Sequence, residues 1–220
     1  MTIPAGYSST TFYFEPTEVN GTVTDNNAIT GTLQSGTVNK INWMSPNEKG
    51  LIIGTVSQEW VVRPDANNGT ISPTNATSNP ISSIGGAYIA PLDIESGTVF
   101  IQRARRKLLD VIYSFEVDRL KPRDLTLLSE HITKDQIVGF TYQQEPINCI
   151  WAYTGAGLLL AFTYYPDQNV FAWSRHPVGG DGIVESVSVI PAVGGARDEL
   201  WLIVKRTING VTRRYVEYMS

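Results

Sequence analysis

The chain has 220 residues, 42% of them hydrophobic and 17% charged, with a formal net charge of −4. That size and composition suit one all-β domain with a sizeable core and exclude an intrinsically disordered tail. The acidic balance argues against a surface that grips nucleic-acid phosphates, and the longest apolar run, around Leu158 to Phe162, falls far short of the ~20 residues of a membrane span.

In chain order, residues 1 to 10 read as an untied end, without the basic region and apolar stretch of a secretory signal. From Phe12 to Leu33 the turn signals at Asn20-Gly21 and Asp25-Asn26-Asn27 predict irregular chain. The expected division is therefore an irregular segment over 1–33 and a single β-propeller-like domain over 34–220, complete or incomplete.

A first group of strands is expected at Lys40 to Trp43, Leu51 to Thr55 and Glu59 to Arg63, broken by Ser45-Pro46-Asn47. Asp65 to Ser83, rich in Asn, Ser, Thr, Pro and Gly, reads as a long exposed loop. A second group is expected at Ala87 to Pro91, Thr98 to Gln102 and Lys107 to Phe115. It is followed by Arg123 to Thr133, where the spacing of Leu125, Leu128 and Ile132 behind Pro122 predicts a short helical insertion.

The third group is the most regular: Ile137 to Tyr142, Asn148 to Tyr153, Leu158 to Tyr164 and Val170 to Arg175, separated by turn formers. The last is ELWLIVKRTI, then Asn209-Gly210, then VTRRYVEYM, which predicts a type I′ hairpin because both central positions need positive φ. Its Trp201, Ile203 and Lys205 face one side and Leu200, Leu202 and Val204 the other. Apolar residues on both faces predict a strand sandwiched between neighbouring sheets.

One word recurs through these groups. LIIGT, VFIQR, IWAYT and LWLIV begin at residues 51, 99, 150 and 200, and a period of about fifty residues with several short strands per unit is the signature of propeller blades. The fold expected is an all-β, β-propeller-like array of about four antiparallel blades with one short helical insertion.

Chemistry is sparsely signalled. Cys149 stands alone, which rules out an intrachain disulfide and suits a buried structural thiol. His131 and His176 lie in no HExxH, and there is no CxxC, GxGxxG, Walker or GxSxG motif, so neither an enzyme nor a metal or cofactor site is expected. Trp43, Trp60, Trp151, Trp173 and Trp201 accompany the repeats and read as packing between blades. The basic cluster Arg103, Arg105, Arg106 and Lys107 reads as a solvated hairpin tip, with a subunit contact or an anion contact as the functional alternative. The carboxylates Glu145, Asp181, Glu185, Asp198 and Glu199 sit near strand ends, where a propeller glycosidase would carry its acid and base.

The words FEPTEVNGTVTDNNAI, LIIGTVSQEWVV, VFIQRARRKLLDVIYSFE, DLTLLSEHI, YQQEP, and ESVSVIP with DELWLIVKRTINGVTRRYVE resemble a family of short-tailed bacteriophage proteins. These are the tail nozzle or tail tubular proteins, related to the tail DNA-stabilisation proteins, and the resemblance runs from Phe14 to Glu217. It implies a structural virion protein, made in the host cytoplasm, whose propeller subunits form a homo-oligomeric ring, commonly a hexamer, below the portal and adaptor. Genomic DNA would pass through the enclosed channel without sequence-specific binding, past an acidic wall that does not hold it. The alternative is a carbohydrate-binding or glycan-hydrolysing propeller used at a host surface.

Overall fold

The computed structural model describes residues 11–12, 28–36, 39–65, 69–94, 97–116 and 118–219. Most of the N-terminal segment expected over 1–33 lies outside the described residues. The described chain is all-β, and its one helical element is a single 3₁₀ turn at Pro166–Gln168.

In chain order, β1 (Thr11–Phe12) pairs with β2 (Gly31–Thr32). Next, β3 (Ile41–Asn47), β4 (Gly50–Thr55), β5 (Glu59–Pro64) and β6 (Ala76–Ser82) form a four-stranded antiparallel meander. A second four-stranded sheet follows with β7 (Leu92–Ile94), β8 (Gly97–Ile101), β9 (Leu108–Ser114) and β10 (Arg119–Asp124). A third contains β11 (Ile137–Gln143), β12 (Cys149–Thr154), β13 (Leu159–Tyr165) and β14 (Val170–His176). The last sheet has three strands, β15 (Ile183–Pro191), β16 (Asp198–Ile208) and β17 (Val211–Met219).

The recurrent word therefore marks the same place in each of the four main sheets: β4, β8, β12 and β16 are each the second strand. A second strand has ladder partners on both sides, so it is the place for residues that are apolar on both faces. All five residues of β8 and five of the six in β12 are buried. The strand before each word is shorter or more polar, which is why the word looks like the start of its unit.

Packing divides the chain into two compact units, Met1–Arg103 with Asp110–Arg123, and Ala104–Leu109 with Asp124–Ser220, the line passing through β9. In the first unit, Ile53, Trp60 and Val62 gather around Leu33. In the second, Trp151, Leu159 and Ala161 of the third sheet meet Val184, Leu200, Leu202 and Val204 of the last.

Five expectations are corrected. The predicted loop from Asp65 to Ser83 contains β6, which is polar and carries Pro80 because it is an edge strand, where a missing N–H costs no ladder bond. The predicted strand from Ala87 to Pro91 is not one; its neighbourhood supplies only the isolated bridge of Gly86 to Gln102, and the strand begins at Leu92. The Ser45-Pro46-Asn47 break lies inside β3, again an edge.

The predicted helical insertion is strand and turns. Arg119–Asp124 is β10, with Pro122 on an edge. Beyond it the N–H groups of Ser129, Ile132 and Gln136 bond the carbonyls of Thr126, Ser129 and Thr133 at 2.8, 2.9 and 3.0 Å, a chain of single turns. The Asp124 carboxylate starts that series by accepting the Thr126 N–H at 2.8 Å and its hydroxyl at 2.6 Å. A helix needs a stripe to bury, and Leu128, in the middle of the expected stripe, is 93% exposed.

The last hairpin forms as expected, Asn209 at φ 50 and Gly210 at φ 77. Gly210→Val places a β-branched residue where positive φ is required, so a loss of about 1–2 kcal/mol is expected, read as a lower thermal midpoint by circular dichroism. The two-sided burial expected of this hairpin is not found. Leu200, Leu202 and Val204 are buried, whereas Ile203 on the other face is 39% exposed.

Candidate functional site

The basic cluster lies in the turn between β8 and β9, and its members differ in role. Arg103 and Arg106 are exposed, and Arg105 is half-buried with φ 59. The backbone of this turn is tied down: the Arg105 carbonyl accepts the Ile137 N–H at 2.7 Å and the Arg106 carbonyl accepts the Thr133 hydroxyl at 2.6 Å. Lys107 points its ammonium at Asp124, 2.7 Å away, and at Glu130, 3.2 Å away. Hydrogen bonds to those two carboxylates hold the Lys107 ammonium above its usual range. Lys107 is thus an internal anchor of the turn series, and the charges available to a partner are those of Arg103, Arg105 and Arg106.

Three of the five carboxylates that could have served a glycosidase are engaged structurally. Asp198 accepts the backbone N–H groups of Gln144 and Glu145 at 2.9 and 3.0 Å, fastening the turn that holds Pro146. Glu185 is shared by Arg214 and Lys205, and the Arg214 guanidinium holds its carboxyl below the usual range. Glu199 lies 3.6 Å from Arg197, while Glu145 and Asp181 are exposed at turns. His176 lies edge-on to Trp151 with a ring nitrogen 2.9 Å from the Ser174 hydroxyl, and His131 is exposed. Burial pushes the Cys149 thiol up to about 11, far from a nucleophile's range. Among the described residues no group of three or more His, Cys, Asp or Glu side chains is placed to hold a metal ion.

Two features escaped the sequence reading. The first unit has an open polar cleft of about 1020 Å³, lined by Lys49, Arg63, Asp65, Asn79, Tyr113 and Asp118 among others. The Lys49 ammonium lies 4.6 Å from the centre of the Tyr113 ring, and the Tyr113 hydroxyl donates to Asp118. That bond raises the phenol above its usual range. The residues come from three hairpins, and no local sequence spacing links them.

The second is Glu59, fully buried in β5. One carboxylate oxygen accepts the Ser82 hydroxyl; the other has no hydrogen-bond partner among the described residues. Burial raises its carboxyl from the ordinary 4.5, against hydrogen bonds from Ser82 and the Gly85 and Ile84 backbone that lower it. The folded chain therefore holds this proton more tightly than the unfolded chain. The contribution to stability is greatest below the unfolded value and is lost as pH rises through the folded one. Glu59→Gln should raise stability at pH 7 by about 1 kcal/mol and flatten that slope, as measured by urea melts across pH.

No helix among the described residues is long and apolar enough to cross a membrane. Comparison with models of known protein families finds no match, and comparison with curated proteins finds no significant one.

Proposed function

We propose that this chain is a structural subunit of a short-tailed phage tail, a nozzle component that lines the DNA exit channel below the portal and adaptor. One observation carries the reading: words that resemble the nozzle family fall on hairpins and on the turn series of a succession of antiparallel sheets. VFIQRARRKLLDVIYSFE spans the β8–β9 hairpin, DLTLLSEHI the turn series after β10, and DELWLIVKRTINGVTRRYVE the β16–β17 hairpin. In this role no bond is made or broken. Stiff sheets give a wall, the exposed Arg103 and Arg106 with the half-buried Arg105 supply contacts to neighbouring subunits, and a net charge of −4 keeps passing DNA from adhering.

Electron microscopy of the purified chain with its portal and adaptor is expected to show a closed ring, sixfold in the family it resembles, and labelled antibody should mark the tail of the particle. A chain that stays free of both partners, or that maps outside the tail, would sink the proposal. The polar cleft around Tyr113 favours a second reading, a glycan-binding array at a host surface. Its measurement is a glycan screen, in which binding lost on Tyr113→Ala would support it.

A further inference from the structure

Three of the four main sheets have four strands, and the last has three. Its outer strand, β17, is nine residues long, carries no proline, and runs along β16 without a register shift. Most other outer strands are interrupted or short: β3, β6 and β10 contain Pro46, Pro80 and Pro122, β11 and β15 have register shifts, and β7 has three residues. β14 is unbroken over a shorter run of seven residues, and its Trp173 indole donates to the Leu125 carbonyl at 2.9 Å. A long, unbroken edge is the form that pairs with another strand. Val216 and Tyr218 on β17 are 70% and 57% exposed, with Val211, Tyr215 and Met219 also open to solvent.

The charges on this strand are out of balance within the sheet. Arg213 stands opposite Arg206, and Arg214 opposite Lys205. Like charges opposite each other are unfavourable. Glu217 neutralises Arg206 through two bonds of 2.6 and 2.7 Å, and Glu185 serves Arg214 and Lys205. Arg213 is exposed and, among the described residues, lies within ion-pair distance of no carboxylate.

We propose that the β17 edge pairs antiparallel with the β17 edge of a second copy of this chain, about a twofold axis at Tyr215. The backbone restricts the choice of register. Ile208 and Val211 flank the two-residue turn and bond each other, so odd-numbered residues of β17 bond inward to β16. The N–H and C=O groups of Thr212, Arg214, Val216 and Tyr218 then point outward. A twofold ladder must join even-numbered residues to even-numbered ones, so its axis falls on a residue and not between two.

The side chains select among those axes. Centred on Tyr215, Arg213 faces Glu217 of the second copy, twice by symmetry, and Val211 faces Met219. A carboxylate has about four acceptor sites, so Glu217 can hold Arg213 of the second copy beside its own Arg206. Centred on Arg214, that arginine faces itself. Centred on Val216, Arg213 faces Met219 and Glu217 faces Tyr215, so no opposite charges meet. Only the Tyr215 axis completes the charge pattern.

A twofold contact closes on itself and cannot build a ring, which needs a head-to-tail contact elsewhere. The proposal therefore goes beyond the nozzle reading, and each can fail without the other.

Across the axis the two Tyr215 residues form a non-hydrogen-bonded pair, whose Cα atoms lie about 4.5 Å apart, within disulfide range. Tyr215→Cys under mild oxidation is expected to give a disulfide-linked dimer in high yield, because the native Cys149 is buried. Arg213→Cys, Arg214→Cys and Val216→Cys should not. Sedimentation velocity of the unmodified chain should show a concentration-dependent dimer, and Arg213→Glu should weaken it about tenfold without lowering the monomer's thermal midpoint, since it also removes the Arg213–Arg206 repulsion. Cross-linking through Arg214→Cys or Val216→Cys instead would assign another register and overturn the proposal. A monomer at all concentrations would also overturn it. Slow amide exchange at Thr212, Arg214, Val216 and Tyr218 in that monomer would identify the same chain as the strand that covers the edge, and fast exchange would show that nothing does.

Discussion

Gly54→Ala is expected to destabilise the first unit by about 3 kcal/mol. Trp43 and Gly54 are register partners across β3 and β4, and the Trp43 indole lies flat over the glycine. A Cβ built on Gly54 would fall 2.0 Å from the indole Cε2 and 2.3 Å from Cζ2; one built on Gly86 would fall 2.3 Å from Nε1. The indole is 5% exposed and tilts against Phe100 at a centroid distance of 5.1 Å. A methyl group therefore displaces a large ring from a filled site, and close-packed interiors do not yield cheaply.

Gly54 does not have positive φ, so the cost is steric, unlike that at Gly210. Trp43→Ala should make the Gly54→Ala change nearly harmless, although the single Trp43→Ala costs about 3–5 kcal/mol by leaving a cavity. Thermal and urea melts of the four proteins form the cycle. Simple additivity of the two substitutions would show that the ring does not rest on Gly54.

Arg123→Ala is the second large effect, with an expected loss of about 3 kcal/mol. Asp110 in β9 is fully buried, and Arg123 in β10 grips it with two bonds, Nη2 to Oδ2 at 2.5 Å and Nε to Oδ1 at 3.2 Å. Removing the guanidinium leaves a buried carboxylate without its main counter-charge. Removing both partners is a gentler change, because the desolvation cost of the carboxylate goes with it. Asp110→Leu combined with Arg123→Leu should accordingly be more stable than Arg123→Ala alone. A double variant as unstable as the single one would mean that this site is held by packing and not by charge. Lys107→Ala, by contrast, should cost under about 1 kcal/mol, since that ammonium is partly solvated.

The third sheet was almost wholly legible. Its four strands are expected within about one residue of their observed bounds and its breaks are written in Glu145-Pro146, Thr154 to Gly157 and Pro166 to Asn169, so local signals and tertiary structure agree. The edges were not legible. β6 and β10 contain proline and few apolar residues, and local composition cannot distinguish a loop from an edge strand whose ladder partner lies on one side only. Leu125, Leu128 and Ile132 looked like a helical stripe because spacing alone does not say whether anything waits to cover Leu128.

The candidate sites followed the same division. A cluster contiguous in sequence, Arg103 to Lys107, could be named in advance, but not that Lys107 would be taken up by Asp124 and Glu130. Neither the buried Glu59 nor the cleft at Tyr113 left a trace in spacing: Glu59 meets Ser82 only through the β5–β6 register, across 23 residues, and the cleft is assembled from three hairpins.

By itself the sequence determined the all-β class, the fifty-residue period and the tight turn at Asn209-Gly210. Each depends on residues near one another in the chain, whose backbone preferences act locally. Only the tertiary structure decided that the repeated word is a second strand, that the last sheet has three strands, and which face of β16 is buried. Those outcomes depend on what lies beside each strand across long separations, where burial and ladder partners outweigh local preference.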